Sequence, residues 1–401
     1  MTRPSVDAHA ARIAELLRPA LESRRVETVR LDAALGRVTA VDVASPVDLP
    51  LFRNSQMDGF ALRAADIRHV PARLRVIGEV AAGSSALDLG GASGEAVRIM
   101  TGAPVPNAAD VVVPVEDTTT ERDTGGEWVI VRASRSAGDF VRERGSDIRA
   151  GEILLAAGVR LASRHLGALA AAGVTTVDVR GRLRVALITT GSELIAPGAE
   201  PRAGQVFDSS GTALDAAVRA AGAEVVSRTH IVDDPERMDA GLAAAARAAD
   251  LIVTTGGISM GAYEVVRQTL EPRGADVVTL AMQPGGPQAT ALFDGVPVVC
   301  LPGNPVSSQV SFEVFVAPLL RGHAGLPGAE RGSSPLAHAL TSVPGRRQFL
   351  RGRRLASGSV EPVSGPGSHL VAGMAAAELL IVVPEDVVDL SAGESVETWA
   401  L

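Results

Sequence analysis

Three apolar, strand-like runs of this 401-residue chain end in glycine-rich turns: Thr189-Thr190-Gly191-Ser192-Glu193, Thr254-Thr255-Gly256-Gly257-Ile258-Ser259-Met260-Gly261 and Cys300-Leu301-Pro302-Gly303-Asn304-Pro305-Val306-Ser307. At the carboxyl edge of an open parallel sheet, such turns are where ligands bind. Glycine lets the backbone come close to an anion, and the N–H groups that open the next helix bind it. One turn of this kind is ordinarily just a tight turn; three in one region point to an anionic, phosphorylated ligand. None spells GxGxxG or GxxxxGK[ST], which disfavours dinucleotide and Walker-type binding. Carboxylates follow the same turns: Glu193 after the first, Asp233 and Asp234 after the run ending at Ile231, and Glu264 three residues after Gly261. Spread acids beside a phosphate suit magnesium, a hard cation that takes oxygen ligands. Each acid taken singly reads more simply as a helix N-cap, so the metal reading rests on their convergence.

Composition removes other chemistries. The chain has no lysine, and all 38 of its cations are arginine. Standard P-loop proteins, pyridoxal enzymes and protein kinases each need a lysine and are excluded. A net charge of −8, with two Trp, one Tyr and eight Phe, argues against a nucleic-acid footprint or a base-stacking platform. Cys300 is the single cysteine, which rules out internal disulfides and cysteine-based metal sites and suits a reducing compartment. The seven histidines show no metal spacing, and there is no GxSxG elbow. No apolar run reaches the roughly 18–20 residues of a membrane helix, and residues 1–12 lack a signal-peptide core. The expectation is a soluble, cytoplasmic protein.

The elements that must hold these turns follow from periodicity. Residues 6–24 carry Ile13, Leu16, Leu17 and Leu21 at helical spacing, and a second short helix is expected over 30–35, stopped by Gly36. Residues 45–58 read as loop, and 74–141 as short β runs (74–80, 96–100, 111–116, 128–132) broken by Gly, Pro and Asp. A helix is expected over 163–172. From 184 onward, apolar runs at 185–189, 224–231, 251–255, 276–280 and 296–301 alternate with Ala-rich helical stretches at 211–221, 235–249 and 263–270. That alternation predicts a doubly wound parallel sheet. Beyond 327, short β runs return. The fold class is therefore multidomain α/β plus β: an N-terminal α/β domain (1–47 and 146–180), an inserted β module (48–145), the α/β domain (181–326) and a small C-terminal β domain (327–401).

Two further segments are open to more than one reading. Asn54-Ser55-Gln56-Met57-Asp58-Gly59-Phe60-Ala61 is equally an Asx-type turn entering the β module or a functional loop. Arg98-Ile99-Met100-Thr101-Gly102-Ala103-Pro104 places Thr101 at a strand end before a turn. Together with Ala109–Glu116, Gly204–Ser209, Gly345–Gly352 and the three glycine turns, they carry a resemblance. From about Arg30 to its C-terminus the chain resembles the MoeA family of molybdopterin molybdenumtransferases, which includes the C-terminal domain of gephyrin.

The resemblance implies a MogA-like molybdopterin-binding α/β domain in a homodimer. It implies an enzyme that inserts molybdate into adenylylated molybdopterin and releases AMP with magnesium. By motif position it makes Asp58, Thr101, Asp147 and Asp233 catalytic, and Glu193 and Glu264 magnesium ligands. Substrate binding falls to Thr190, Gly191, Gly256, Gly257, Ser259, Gly261, Pro302, Gly303, Asn304, Pro305, Ser307, Arg346, Arg351 and Ser368. A molybdopterin adenylyltransferase and recipient molybdoenzymes are the implied partners, with neither nucleic acid nor membrane. The chain also departs from the pattern. Gln283 and Gly286 stand where the family has lysines, Gly373 and Glu378 where it has Ser and Asn, Glu264 where it has Asp, and Ser192 where Asp is common. The first four positions lie on the side expected to hold molybdate. The alternative is a divergent, non-catalytic paralogue that binds a pterin nucleotide or a partner protein.

Overall fold

The computed structural model describes residues 3–23, 25–84, 93–258 and 264–401. The chain divides into two compact units, Val26–Val179 and a second made of 1–25 with Arg180–Leu401.

The Val26–Val179 unit is built on a six-stranded sheet ordered Val111–Pro114, Gly59–Leu62, Glu95–Ile99, Ala72–Val80, Gly126–Val131, Thr118–Asp123. Because strand side chains alternate between faces, Phe60, Leu62, Val111 and Val113 enter one buried cluster, while Ala61, Val97 and Val112 enter another. Both faces of the central strands are thus covered. Gly59 is required by close approach: a Cβ there would lie 2.0 Å from the Val113 carbonyl oxygen. The strand Thr118–Asp123 was not legible in the sequence because it is a solvated edge whose residues are half-buried or exposed. A smaller region pairs Val26–Arg30 with Thr176–Arg180 and packs the helix Ser163–Ala171 over Ala34, Leu161, Val177 and Val179. The helix expected over 30–35 is instead the strand Val26–Arg30 followed by a single 3₁₀ turn, Leu31–Ala33, because Leu31 N–H donates to the Thr175 carbonyl across the pair.

In the second unit, the helix Val6–Leu21 starts at Ser5, whose hydroxyl accepts from Ala8 N–H at 3.1 Å. Its position in the sequence places it in the 1–47 domain. It belongs instead with the α/β region, since Val6, Ile13 and Leu17 are buried in one cluster with Leu183, Val185, Leu187, Leu214 and Phe315. The sheet order is Glu224–Ile231, Arg184–Thr190, Leu251–Thr255, Val296–Leu301, Pro287–Phe293, Asp276–Thr279. The first four strands run parallel, and Pro287–Phe293 is antiparallel to both of its neighbours. This reversal, absent from the all-parallel expectation, comes from a hairpin at Asp294-Gly295, both at positive φ (50° and 80°). An Asp-Gly pair is a strong short-range hairpin signal. The chain winds one way from the first strand to Glu224–Ile231 and the other way from Leu251–Thr255 onward, so the switch point lies beside Arg184–Thr190.

The C-terminal sheet is ordered Met282–Gln283, Arg347–Arg354, Leu379–Val383, Ser395–Ala400, Arg331–Pro335. Leu379, Ile381 and Val383 face its own core, while Leu380, Val382, Phe349 and Trp399 join the α/β cluster. The pairing of Met282–Gln283 with Arg347–Gln348 stitches the two sheets together.

Candidate active site

The three glycine turns meet at the carboxyl edge of the α/β sheet, and they interlock. Gly256 sits at φ +95°, where a Cβ would lie 2.5 Å from the Thr190 carbonyl oxygen; Gly303 faces Gly256 Cα at 3.2 Å from its own Cβ position. Thr255 Oγ1 donates to the Pro302 carbonyl at 2.8 Å, and Gly256 N–H to the Leu301 carbonyl at 3.2 Å. Part of the glycine content therefore serves turn-on-turn packing. The backbone left around these turns lines a cleft of about 740 Å³.

The acids around this cleft have separate roles that spacing alone did not reveal. Asp234 is the helix cap, accepting from the N–H groups of Glu236 and Arg237 at 3.0 and 3.1 Å. Asp233 ties down the first turn: Oδ1 accepts from Thr190 Oγ1 at 3.2 Å and Oδ2 from Ser192 N–H at 2.9 Å. Asp208, buried and not singled out from the sequence, accepts from Gly211 N–H at 2.8 Å and from Thr189 Oγ1 at 2.9 Å. Glu193 and Glu264 make no side-chain hydrogen bond among the described residues. Glu264 precedes the helix Val265–Leu270 without capping it, and the Glu193 carboxylate lies 2.7 Å from where a Cβ on Gly191 would be. Among the described residues, nothing bonds these two carboxylates, which leaves them open to a ligand.

The cleft gathers Thr190, Gly191, Glu193, Asp233, Gly256, Gly257, Glu264, Pro302, Gly303, Asn304, Pro305 and Ser307, all named from the sequence. It also takes Phe207, Asp208, His369 and Val371, which were not. The first two sit in the quoted Gly204–Ser209 motif, whereas nothing local marks His369. Ser259 and Gly261 lie outside the described residues. Among those described, no three His, Cys, Asp or Glu side chains gather closely enough to hold a metal by themselves. Two carboxylates completed by substrate phosphate oxygens are nevertheless an ordinary magnesium donor set.

Arg351, Arg346 and Ser368 are not part of the cleft lining. Arg351 has no exposed surface; its Nη2 donates to Ser364 Oγ at 3.2 Å and to the carbonyls of Gly365 and Gly367, and burial lowers its pKa. It holds the 364–367 loop from behind, whereas the family pattern makes it a substrate-binding residue. The Ser368 carbonyl accepts from Val306 N–H at 3.2 Å, which docks this loop on the helix Pro305–Ser311 of the third turn. Gln283 accepts from Gln348 Nε2 at 2.6 Å, and Glu378 from Arg354 N–H at 3.0 Å. At Gly373 a Cβ would fall 2.3 Å from Ser364 Oγ, so the Ser364 hydroxyl fills the space of the expected serine.

In the Val26–Val179 unit, Asp58 Oδ1 accepts from both the N–H and the Oγ1 of Thr101, each at 2.7 Å. These two bonds hold its carboxyl below the usual carboxylate range. Ser55 Oγ closes a tight turn by donating to the Met57 carbonyl at 2.6 Å. The segment is therefore both a turn and the mount of an exposed, ionised acid. Asp147 is also exposed, fixed by its own N–H donating to the Leu49 carbonyl at 3.0 Å.

Comparison with known proteins shows the family. Three family descriptions match in order: MoeA N-terminal region (domain I and II) over residues 4–173, Probable molybdopterin binding domain over 186–322, and MoeA C-terminal region (domain IV) over 333–401. Molybdopterin molybdenumtransferase 2 of Mycobacterium tuberculosis is 42% identical over 99% of both chains. The molybdopterin molybdenumtransferase of Synechococcus elongatus is 35% identical over 94% of both. A crystal structure of the molybdopterin biosynthesis moea protein from Pyrococcus horikoshii superposes with TM-score 0.81 at 34% identity, covering 98% of each chain. The chain belongs to the MoeA family.

Proposed function

We propose that this chain, a transferase of molybdenum-cofactor biosynthesis by its family, takes adenylylated molybdopterin and molybdate and releases AMP with magnesium. The observation that carries the reading is the cleft itself. Three interlocked backbone turns and two carboxylates that make no side-chain hydrogen bond among the described residues face one volume large enough for a nucleotide phosphate and its neighbours. Glycine turns at the switch point bind phosphate through backbone N–H groups. Glu193 and Glu264 would hold magnesium against the phosphate oxygens, where the ion offsets charge that builds up as a phosphoanhydride breaks. Asp233 keeps the first turn in its binding shape. The family pattern assigns to Asp58, held by Thr101, the orienting of the attacking water or oxyanion. Homodimerisation and a cytoplasmic location are part of the proposal. No helix among the described residues is long and apolar enough to cross a membrane.

One observation favours the second reading, a binding protein that does not insert metal: Gln283 and Gly286 bring no charge, and Arg351 is buried. The test is AMP release from adenylylated molybdopterin with magnesium and molybdate. No release at millimolar molybdate sinks the first reading, and tight nucleotide binding in the same sample supports the second.

A further inference from the structure

The cleft proposed to take a pyrophosphate-bearing substrate has a charge problem. Its described lining includes four carboxylates, Glu193, Asp208, Asp233 and Glu264, and no arginine. A polyanion entering it meets like charge. Among the described lining side chains only one can be a cation, His369. It reaches the cleft from the C-terminal region, and its backbone is held on both sides. The preceding Ser368 carbonyl accepts from Val306 N–H at 3.2 Å, and the His369 carbonyl accepts from Val371 N–H at 2.9 Å. Behind it, Arg351 anchors the Gly367 carbonyl at 3.1 Å. The ring is exposed and makes no hydrogen bond among the described residues, so it is available to a ligand. A loop so anchored presents the imidazole with little backbone entropy left to lose on binding.

We propose that His369 is a phosphate-binding residue of this cleft, its imidazolium pairing with a phosphate oxygen of the substrate and of the AMP product. The inference rests on the proposed substrate. A charge-assisted hydrogen bond to phosphate is stronger than a neutral one, and an imidazole can donate to a phosphate oxygen in either form. His230, on the strand beside Thr189, shares a 3.3 Å hydrogen bond with Thr189 Oγ1, and Arg228 lies 3.9 Å from Asp208. Both groups are the same in wild-type and variant proteins.

The test is calorimetric binding of AMP at pH 6 and pH 8, with saturating magnesium, to the wild-type protein, His369→Gln and His369→Arg. The ionisation of AMP itself cancels when the proteins are compared. The wild-type ratio of affinities, pH 6 over pH 8, should exceed that of His369→Gln by about threefold or more. His369→Arg should bind at pH 8 at least as tightly as wild type at pH 6. Equal ratios in wild type and His369→Gln, with measurable binding, overturn the role of His369 alone. No measurable AMP binding to the wild-type protein at either pH overturns the reading of the cleft and this inference with it.

Discussion

Replacing Gly256 by alanine tests the interlocked turns directly. The substitution carries two costs. Its φ of +95° is a region L-residues rarely adopt, worth about 1–2 kcal/mol. Its Cβ would also lie 2.5 Å from the Thr190 carbonyl oxygen, a backbone atom that cannot rotate away. Overpacking against backbone adds about 1–3 kcal/mol, for a total of about 2–5 kcal/mol. Gly274→Ala is the control: its φ is +83° with nothing within 4 Å of the Cβ position, so only the first cost applies. Calorimetric unfolding should show the transition of the 180–401 unit lowered by about 2–4 °C per kcal/mol, further for Gly256→Ala than for Gly274→Ala. The displaced Thr190 carbonyl should also weaken AMP binding in Gly256→Ala alone. Equal melting shifts for the two variants would refute the interlock.

Three other outcomes are expected. His9 is buried against Phe315, ring centroids 5.0 Å apart, and desolvation lowers its pKa from 6.5 to about 4. Below pH 6.5 the unfolded chain takes up a proton that the folded chain refuses until about pH 4, so up to about 3 kcal/mol of stability is lost over that window. His9→Gln should flatten this part of the pH–stability curve; an unchanged slope would exclude His9 as its source. Asp58→Asn should lower AMP release by about 10²-fold with thermal stability unchanged, and Thr101→Val should lower it less because the Thr101 N–H still donates to Asp58. Wild-type AMP release by Asp58→Asn would remove Asp58 from the chemistry. Gly286 has room for a side chain, its Cβ position meeting nothing closer than 3.7 Å, so Gly286→Lys should lower the half-saturating molybdate concentration; no change would place the oxyanion elsewhere.

The glycine turns, the acids that follow them and the doubly wound sheet were legible because each is a local signal. Strand runs such as 224–231, 251–255 and 296–301 are apolar throughout, as strands covered on both faces must be, and the turn glycines stand directly at their ends. The solvated strand Thr118–Asp123 and the two-residue strand Met282–Gln283 carry no such signal. The Asp294-Gly295 hairpin did carry one, and reading it would have added Pro287–Phe293 as a strand antiparallel to Val296–Leu301.

What the amino-acid sequence determined by itself was the chemistry on offer: no lysine, one cysteine, acids and glycines at one sheet edge, and a family pattern running through the chain. What only the tertiary structure decided was which of those groups remain free. Asp233 and Asp234 are neighbours of the same type, yet one binds the first turn and the other caps a helix, while Glu193 and Glu264 bond to neither. Arg351 is withdrawn into the core, and His369, unremarkable in its own segment, is delivered to the cleft by a loop docked on the helix of another turn. The reason is physical. Residue type sets what a group can do, but its hydrogen-bond partners and its burial come from segments tens to hundreds of residues away, and these decide whether the group is spent on the fold or left for a ligand.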